Sequence, residues 1–321
     1  MQEKKYIYSV VVPLYNEELV INETYRILKE VMDSTGEQYE IILVNDGSYD
    51  RTLEITKQIC KEDKSVKLVS FSRNFGHQIA ITAGIEHASG QAIIVIDADL
   101  QDPPEIILEM IKKWKEGFDV IYGQRLERQG ESFFKKTTAK IYYRVLKYMS
   151  DVDMPVDAGD FRLIDRKVCD ALNKLPERNR YVRGLISWLG FRQTSIKFVR
   201  KERFAGETKY SLKKMMKFAF DGITSFSHKP LKISTYLGFF ISLSGFIHLA
   251  VYMYRTLFTD GMMPGWVIFT AIVLIINGII LLMIGILGEY IGRIYDETKG
   301  RPLYILNEKI GFEEDGNNPH G

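Results

Sequence analysis

Cysteine is scarce in this 321-residue chain, and charge of one sign does not dominate. The two cysteines, Cys60 and Cys169, lie far apart and outside any metal-ligand spacing, so we expect reduced structural thiols in a cytosolic setting. The formal net charge of +2 gives no global basic field, which argues against nucleic acid as a partner. The length allows one or two domains and a sizeable hydrophobic core.

Two further signals are missing near the N-terminus. The apolar run before Pro13 is too short for the core of a signal peptide, so we expect it to form the first strand and not a targeting segment. No G-x-G-x-x-G motif follows that strand, which argues against a dehydrogenase of the NAD-binding type.

Asp, Glu, Lys and Arg are absent from two stretches late in the chain, Ile233 to Tyr254 and Trp266 to Gly288. Each can cross a hydrocarbon core, which needs about 20 residues, so both are predicted to be transmembrane helices. The alternative is a helical hairpin buried in a soluble domain. Basic residues flank the pair of stretches: Lys229, Lys232, Arg293, Lys299 and Arg301. The loop between the stretches has one basic residue, Arg255, and one acidic residue, Asp260. The positive-inside rule then predicts a multi-pass protein of the cell membrane whose N-terminal domain is cytoplasmic.

Upstream of residue 230, apolar runs alternate with helical patterns in βα order, which predicts an α/β domain with a mostly parallel, Rossmann-like sheet. The predicted strands are Ile7–Val12, Glu40–Asn45, Val66–Phe71, Ala92–Ile96 and Asp119–Tyr122. The predicted helices are Glu17–Met32, Arg51–Glu62, His77–His87 and Pro103–Glu116. The loops that follow the first four strands are rich in polar residues, and they meet at one edge of such a sheet, as a nucleotide site requires.

The fourth strand runs directly into two carboxylates, Asp97 and Asp99, which are separated by one residue. Oxygen ligands at the C-terminal end of a strand suit Mg²⁺ or Mn²⁺ carrying a nucleotide diphosphate. The alternative is a solvated turn. Asp102 followed by Pro103 is typical of a helix N-cap and first helical position, which favours a site over a plain turn.

Three later motifs join the polar strand loops: Gly159 to Arg166, Arg203 to Tyr210 and the charge-free hairpin. In this order, the motifs resemble those of the family 2 glycosyltransferases with a GT-A fold. More narrowly, they resemble the polyprenyl-phosphate glycosyltransferases akin to dolichyl-phosphate mannose synthase and the bacterial undecaprenyl-phosphate glucosyltransferases. The chain departs from many relatives at Asn45, where they have Asp, which leaves Asp46 as the first carboxylate of that loop.

The resemblance implies roles for individual residues on the donor side. Pro13, Tyr15 and Glu17 would line a nucleoside pocket with Asp97, and Asp46 would accept a hydrogen bond from the base, an assignment that suits uracil N3–H. The alternative for Asp46 is a turn preceding Gly47. The metal ligands implied are Asp97, Asp99 and Gln101, which would neutralise the leaving diphosphate.

On the acceptor side, the resemblance implies cations that bind a lipid phosphate. They are Arg125, Arg128, Arg203 and Lys209, of which the arginines at 125 and 203 are favoured because a guanidinium binds phosphate with two parallel hydrogen bonds. Arg128 and Lys209 have an alternative as contacts to lipid headgroups.

Asp160 matches the functionally required aspartate of the family, either as a base or as a group that orients the acceptor. Asp157 is a rival on sequence alone, and Asp165 is predicted to cap a helix.

The chain is thus predicted to comprise a GT-A domain over residues 1–209, an interfacial amphipathic helix over 210–230, two transmembrane helices over 231–292 and a cytoplasmic tail over 293–321. A second interfacial segment is predicted over residues 133–149. For both segments the alternative is a surface helix packed on the sheet. The tail from Glu308 is polar and predicted to be disordered. The resemblance also implies homo-oligomers.

The activity implied is inverting transfer of one sugar from a nucleotide diphosphate, of the UDP-glucose type, to undecaprenyl phosphate for decoration of the cell envelope. A processive polysaccharide synthase is one alternative, although the chain lacks the Q-x-x-R-W motif and has few spans. A non-catalytic membrane scaffold or flippase partner is the other.

Overall fold

The structure is a computed structural model. It describes residues 6–126, 158–178, 180–199 and 265–312, together with single helical positions at 236, 240, 243, 247, 251, 254 and 258. The chain forms two compact units. One comprises Met1–Arg144, Val152–Met215 and Arg301–Gly321, and the other comprises Val145–Asp151 and Met216–Gly300.

The first unit contains an eight-stranded sheet. Its strands are β1 (Tyr8–Leu14), β2 (Tyr39–Asn45), β3 (Val66–Phe71), β4 (Ala92–Val95), β5 (Val120–Arg125), β6 (Ala158–Asp165), β7 (Gln193–Phe198) and β8 (Leu306–Ile310). They are arranged in the order β7-β5-β6-β4-β1-β2-β3-β8. The pairs β1–β2, β1–β4, β2–β3 and β5–β7 are parallel, whereas β6 is antiparallel to β4 and β5, and β8 is antiparallel to β3. The predicted mostly parallel α/β sheet is confirmed.

The helices of this unit are α1 (Ile21–Asp33), α2 (Thr52–Glu62), α3 (His77–His87), α4 (Ile106–Lys115), α5 (Arg166–Asn173) and α6 (Val182–Trp188). All seven residues of β1 are buried, and so are all seven of β2, as expected for parallel strands covered on both faces. The helix α3 contacts β1 and β2, and α4 contacts β5 and β6. Isoleucine, leucine and valine side chains of the central strands therefore form one continuous core.

The contact between α3 and β1 depends on a glycine. A Cβ atom added at Gly84 would lie 2.1 Å from Cγ1 of Val11, far inside van der Waals contact. Glycine at this position lets α3 approach the strand closely. Because α3 begins at His77, this approach fixes the height of the helix N-terminus over the sheet edge.

Two predictions about helix ends are resolved by the structure. Asp165 caps α5, as predicted, because its carboxylate accepts a hydrogen bond from Lys167 N. Asp102 does not cap α4, because the regular helix begins at Ile106 and Pro103 lies in a preceding turn whose carbonyl accepts from Ile106 N at 3.2 Å. The sequence prediction set that helix start three residues too early.

The prediction of a disordered tail from Glu308 is wrong for its first residues. The segment Leu306–Ile310 forms β8, which covers the outer edge of β3. Glu308 also forms an ion pair with Lys57 of α2 at 2.6 Å. An edge strand of this kind satisfies backbone groups of β3 that would otherwise be exposed.

The second unit contains α7 (Gly265–Thr298), a helix of 34 residues that includes the second charge-free stretch. Several positions of α7 lie outside the described side chains. Over the residues that the structure does describe, no helix is both long enough and apolar enough to cross a membrane. The first charge-free stretch and the predicted interfacial segments lie mostly or wholly outside the described residues.

Candidate active site

The polar loops converge because the strands that precede them run parallel. The strands β1, β2, β3 and β4 end at Leu14, Asn45, Phe71 and Val95, all at one edge of the sheet. The strand β5 runs in the same direction as β4, since both are antiparallel to β6, so Arg125 ends at that edge too. This is the edge where open α/β sheets bind ligands.

The pairing register of β6 with β4 places Asp160 next to Asp97. Val95 of β4 pairs with Arg162 of β6 in an antiparallel ladder. Continued by two residues on each strand, that register sets Asp97 opposite Asp160. Two carboxylates that are distant in sequence therefore become neighbours.

A histidine lies between these two carboxylates. His77 Nε2 is 3.4 Å from Asp97 Oδ1 and 3.3 Å from Asp160 Oδ2. Burial opposes the charged imidazole, but the two aspartates outweigh it and raise the pKa of His77 to about 9. His77 is therefore protonated near neutral pH, and its positive charge offsets the repulsion between the two carboxylates.

Asp97 retains capacity to accept a further ligand. Its Oδ1 atom is buried and accepts no hydrogen bond from the residues that the structure describes. Burial raises the pKa of Asp97 to about 6, against the lowering effect of His77 and with help from the nearby carboxylates. Burial and the neighbouring carboxylates thus disfavour the ionised form of Asp97 even beside His77, and a bound cation would favour that form.

Asp160 is embedded among cations and donors. Its carboxylate lies 3.3 Å from Arg183 Nε and accepts a hydrogen bond from Gln78 Nε2 at 3.1 Å. Burial alone would raise the pKa of Asp160, but Arg183 and His77 outweigh it and hold that pKa well below its usual range. Asp160 is therefore ionised and a weak proton acceptor, which suits it to orienting a partner more than to accepting a proton.

Gln78 ties this cluster to α6. Its Oε1 atom accepts a hydrogen bond from Val182 N at 3.0 Å, while its amide nitrogen donates to Asp160. Arg183 is the second residue of α6, and the first residue of that helix is hydrogen-bonded to α3. The site thus combines β4, β6, α3 and α6.

The carboxylate of Asp46 accepts hydrogen bonds from the β3–α3 loop, defined here as residues 72–76. Its Oδ1 atom accepts a hydrogen bond from Phe75 N at 2.6 Å, and its Oδ2 atom accepts from Gly76 N at 3.0 Å and from Asn74 Nδ2 at 2.9 Å. The loop approaches so closely that a Cβ atom at Gly47 would lie 2.3 Å from the Arg73 carbonyl carbon. Asp46 therefore organises this loop, in addition to any contact with a ligand.

The loops after β1 and β2 are joined to each other. Asn16 N donates to Ser48 Oγ at 3.0 Å, and Asn16 Oδ1 accepts from Tyr49 N at 2.8 Å. The rings of Tyr15 and Tyr49 meet edge to face with centroids 6.4 Å apart, and Tyr49 is 83% exposed. Two aromatic rings thus lie beside the predicted nucleoside pocket, one of which the sequence reasoning did not single out.

The side chain of Asn45 forms hydrogen bonds to two neighbouring segments. Asn45 Nδ2 donates to Ser70 Oγ at 3.1 Å, and its Oδ1 accepts from Ser48 N at 3.2 Å. The Asn45 amide therefore links β2, β3 and the following loop.

The loop that carries Asp99 is held in an unusual conformation. Leu100 has φ of 55°, in the left-handed region, and Asp99 Oδ1 accepts a hydrogen bond from Gln101 N at 3.1 Å. Over the described part of the chain, no group of three or more His, Cys, Asp or Glu side chains is arranged to hold a metal ion. The oxygen donors Asp97 and Asp99 nevertheless have the chemistry that Mg²⁺ and Mn²⁺ prefer.

The sequence-predicted residues divide into those brought to this edge and those not described. Residues 13, 15, 17, 46, 97, 99, 101 and 160 all lie on the strand ends or loops of this edge. Arg125 ends β5, but its side chain is not described, and Arg128, Arg203, Lys209 and Asp157 lie outside the described residues. His77, Gln78 and Arg183 were missed, although the position of His77 directly after a polar strand loop was a usable signal.

The sequence matches two family models. Residues 9–172 match Glycosyl transferase family 2, and residues 229–294 match the GtrB C-terminal hairpin. The uncharacterized glycosyltransferase YkcC of Bacillus subtilis (strain 168) is 60% identical over 306 residues, covering 95% of each chain. The bactoprenol glucosyl transferase of Shigella phage SfV is 40% identical over 302 residues, covering 94% of this chain and 98% of that protein.

A solved structure matches at lower similarity. Glucosyl-3-phosphoglycerate synthase from Mycobacterium tuberculosis, in complex with Mn²⁺, UDP-glucose and phosphoglyceric acid, superposes with a TM-score of 0.48 and 19% identity. The match covers 68% of this chain and 78% of that one.

The family models and the sequence relatives show that the chain is a glycosyltransferase: it belongs to family 2. Within that family it is an enzyme of the polyprenyl-phosphate glycosyltransferase group, which carries the GtrB-type C-terminal hairpin.

Proposed function

We propose that this enzyme transfers one glucose unit from UDP-glucose to a polyprenyl phosphate, with inversion at the anomeric carbon. The observation that carries the proposal is the meeting of Asp97 and Asp160 at the strand edge, with His77 between them. The names of the bactoprenol glucosyl transferases, 40% identical over nearly the whole chain, support the sugar and the lipid carrier.

The donor nucleotide is proposed to bind over the loops after β1 and β2. Pro13, Tyr15 and Glu17 would line the nucleoside pocket, next to the carboxylate of Asp46. That carboxylate already accepts hydrogen bonds from the β3–α3 loop, and its two oxygens retain capacity for a further bond from uracil N3–H. Asp46 is therefore proposed to contact the base and the loop together.

A divalent cation, Mg²⁺ or Mn²⁺, is proposed to bind at Asp97 and Asp99, with Gln101 nearby. The buried Oδ1 of Asp97, which accepts no hydrogen bond from the described residues, supports this choice. When bound, such a cation neutralises charge on the leaving diphosphate.

In the proposed reaction, a phosphate oxygen of the lipid attacks the anomeric carbon and forms the new C–O bond. The bond from that carbon to the β-phosphate oxygen of UDP breaks, and UDP leaves with its electron pair. A phosphate acceptor is already ionised near neutral pH, so no strong base is needed. Asp160, held ionised by Arg183 and His77, is proposed to orient the acceptor.

The anionic acceptor needs cations close to the donor. Arg125 and Arg203 are proposed to bind its phosphate by paired hydrogen bonds, with Arg128 and Lys209 as weaker contacts.

The charge-free stretches are proposed to anchor the enzyme as a transmembrane hairpin, with interfacial segments beside it and the catalytic unit in the cytosol. The match to the GtrB hairpin supports this topology. Homo-oligomers formed through the hairpin are part of the same proposal.

The test is incubation of the purified full-length protein with a panel of radiolabelled nucleotide sugars and polyprenyl phosphate. A lipid-linked monosaccharide formed from UDP-glucose supports the proposal. A polymer would indicate a processive synthase, and absence of product with every donor would indicate a non-catalytic role. A lipid-linked product formed from another sugar donor would contradict the assignment of glucose but not the transfer to the lipid.

A further inference from the structure

The segment that follows α7 is built into the catalytic sheet. Ser72 N, the first residue of the β3–α3 loop, donates to Ile305 O at 2.9 Å, and β8 then continues antiparallel along β3. Residues near position 305 therefore lie directly beside the start of this loop.

Tyr304 begins a series of ring contacts that leads into the loop. Its ring stacks on Phe71, the last residue of β3, with centroids 4.8 Å apart and an interplanar angle of 23°. Phe71 in turn meets Phe75 edge to face, with centroids 5.7 Å apart. Aromatic pairs in these geometries stabilise each other beyond the burial of their surface.

Phe75 connects these rings to the candidate active site. Its backbone N–H donates to Asp46, its ring lies 4.0 Å from the Arg73 guanidinium, and His77 follows two residues later. The close approach of this loop to Gly47 leaves little space for it to move without moving Asp46.

The hydroxyl of Tyr304 contacts the other end of α3. It donates to Glu86 at 2.7 Å, and the ring also faces His87, with centroids 6.4 Å apart. Burial and the adjacent Glu86 raise the pKa of Tyr304, so the hydroxyl remains a donor at physiological pH. One side chain thus contacts the strand before the β3–α3 loop and the helix after it.

We propose that Tyr304 is a positioning residue for the donor site: its ring holds Phe71 and Phe75 so that the β3–α3 loop keeps Asp46 and His77 in place. This inference rests on the proposed function, because it assigns the loop to the nucleotide sugar. Tyr304 lies beyond the hairpin and outside both matched regions.

Kinetics of Tyr304→Ala in the full-length enzyme provide the first test. Loss of one aromatic pair predicts an apparent KM for the nucleotide sugar raised about three- to tenfold, more than any rise in the KM for polyprenyl phosphate, because the loop contacts Asp46 directly and reaches Asp160 only through His77 and Gln78. Tyr304→Phe keeps the ring and should retain a donor KM close to that of the wild type. A donor KM that is unchanged in a folded Tyr304→Ala protein would overturn the proposal.

A matched control separates this effect from general loosening of β8. Glu308→Gln removes the ion pair with Lys57 from the same strand but leaves the rings in place. It should lower the melting temperature slightly without raising the donor KM. An equal rise in donor KM for Glu308→Gln would show that any weakening of β8 has the effect, which contradicts a specific role for Tyr304.

Hydrogen exchange of the amides in residues 72–78 supplies a readout that does not depend on the substrate. Tyr304→Ala, or Tyr304→Leu should the alanine variant fail to fold, should exchange faster there than the wild type and Tyr304→Phe. Unchanged exchange overturns the proposal. If the wild type uses no nucleotide sugar, the proposed function fails, and the exchange measurement alone decides whether Tyr304 holds the loop.

Discussion

At the scale of single residues, the candidate site concentrates opposite charges within a few ångströms. His77 lies between Asp97 and Asp160, and Arg183 is paired with Asp160. Removal of one member leaves the others buried with uncompensated charge, which costs stability as well as activity. Each substitution here therefore needs a measurement of folding beside the measurement of turnover.

Asp99→Asn tests the metal. Because Asp99 is proposed to hold a cation that stabilises the leaving diphosphate, the substitution should lower turnover by about 10²-fold or more while the protein stays folded. EDTA should reproduce the loss in the wild type, and Mg²⁺ or Mn²⁺ should reverse it. Asp170→Asn, on the exposed side of α5, is the control. Full activity of Asp99→Asn in the presence of chelator would refute the metal role.

Asp160→Asn separates the acceptor side from the donor side. Transfer should be lost, whereas the affinity for UDP, measured by calorimetric titration, should stay within about threefold of the wild type because the nucleotide is proposed to contact other loops. The variant should also melt at a lower temperature, since Arg183 and His77 lose their shared carboxylate. Normal transfer by the variant would reduce Asp160 to a structural residue.

At the scale of elements, an ion pair fastens α1 to the end of α2. Lys29 Nζ lies 2.7 Å from Asp63 Oδ2, and Tyr25 donates to the same carboxylate at 2.8 Å. Burial alone would raise the pKa of Asp63, but hydrogen bonds from Lys29, Ser65 and Tyr25 outweigh it and hold that pKa well below its usual range.

A pH-dependent stability follows from this lowered pKa. The folded protein keeps Asp63 ionised, so the stabilisation is fully present above the unfolded pKa of about 3.9 and is lost as the pH falls towards the folded value. Asp63→Asn should lower the free energy of unfolding at pH 7 by about 1–2 kcal/mol, a figure reduced for the partial exposure of Lys29.

Thermal melts between pH 7 and pH 3 check this prediction. The gap in melting temperature between the wild type and Asp63→Asn should be constant above about pH 5 and shrink below it. Glu62→Gln, next to Asp63 on the exposed side of α2, is the control and should show no such trend. A gap that widens on acidification would contradict the assigned direction of the pKa.

The elements that sequence predicts well are those with a local signal. The strands β1 to β4 are buried apolar runs, and their predicted bounds lie within two residues of those observed. The strand β8 has no such signal, because Leu306–Ile310 is a short, largely polar edge strand whose only determinant is its partner β3. Its pairing is a tertiary fact that periodicity cannot encode.

The candidate site also contains residues that the sequence predicts and residues that only the fold brings together. Asp97 and Asp99 are recognisable because a strand leads directly into them, and Asp160 is recognisable from its motif. That His77 joins them depends on the register of β6 against β4 and on the height of α3 above β1, set by Gly84. Arg183 enters from a short helix with no motif of its own, so only the fold reveals it.

At the scale of the whole molecule, the proposed topology can be tested by labelling with an impermeant thiol reagent. A cysteine introduced near Asp260, between the charge-free stretches, should react on intact cells, and one introduced near Lys209 should not. The native cysteines give little background, because both are buried and burial raises the pKa of the Cys60 thiol to about 12.

Permeabilised cells provide the control for this experiment, since the cysteine near Lys209 should then react. Labelling with the opposite sidedness would overturn the positive-inside assignment. It would also remove the basis for a cytosolic nucleotide sugar as the donor.

The position of β8 has a consequence for how the protein is made. The edge of the catalytic sheet is completed by residues that the ribosome adds after the whole hairpin, and the hydrogen bond from Tyr304 to Glu86 joins positions 218 apart in sequence. At about 5–20 residues per second, roughly 10–40 s separate synthesis of the two partners. During that interval β3 is an open edge, so a nascent chain stalled within the hairpin carries an unfinished enzyme. Synthesis of the hairpin and completion of the catalytic sheet are thereby placed in a fixed order.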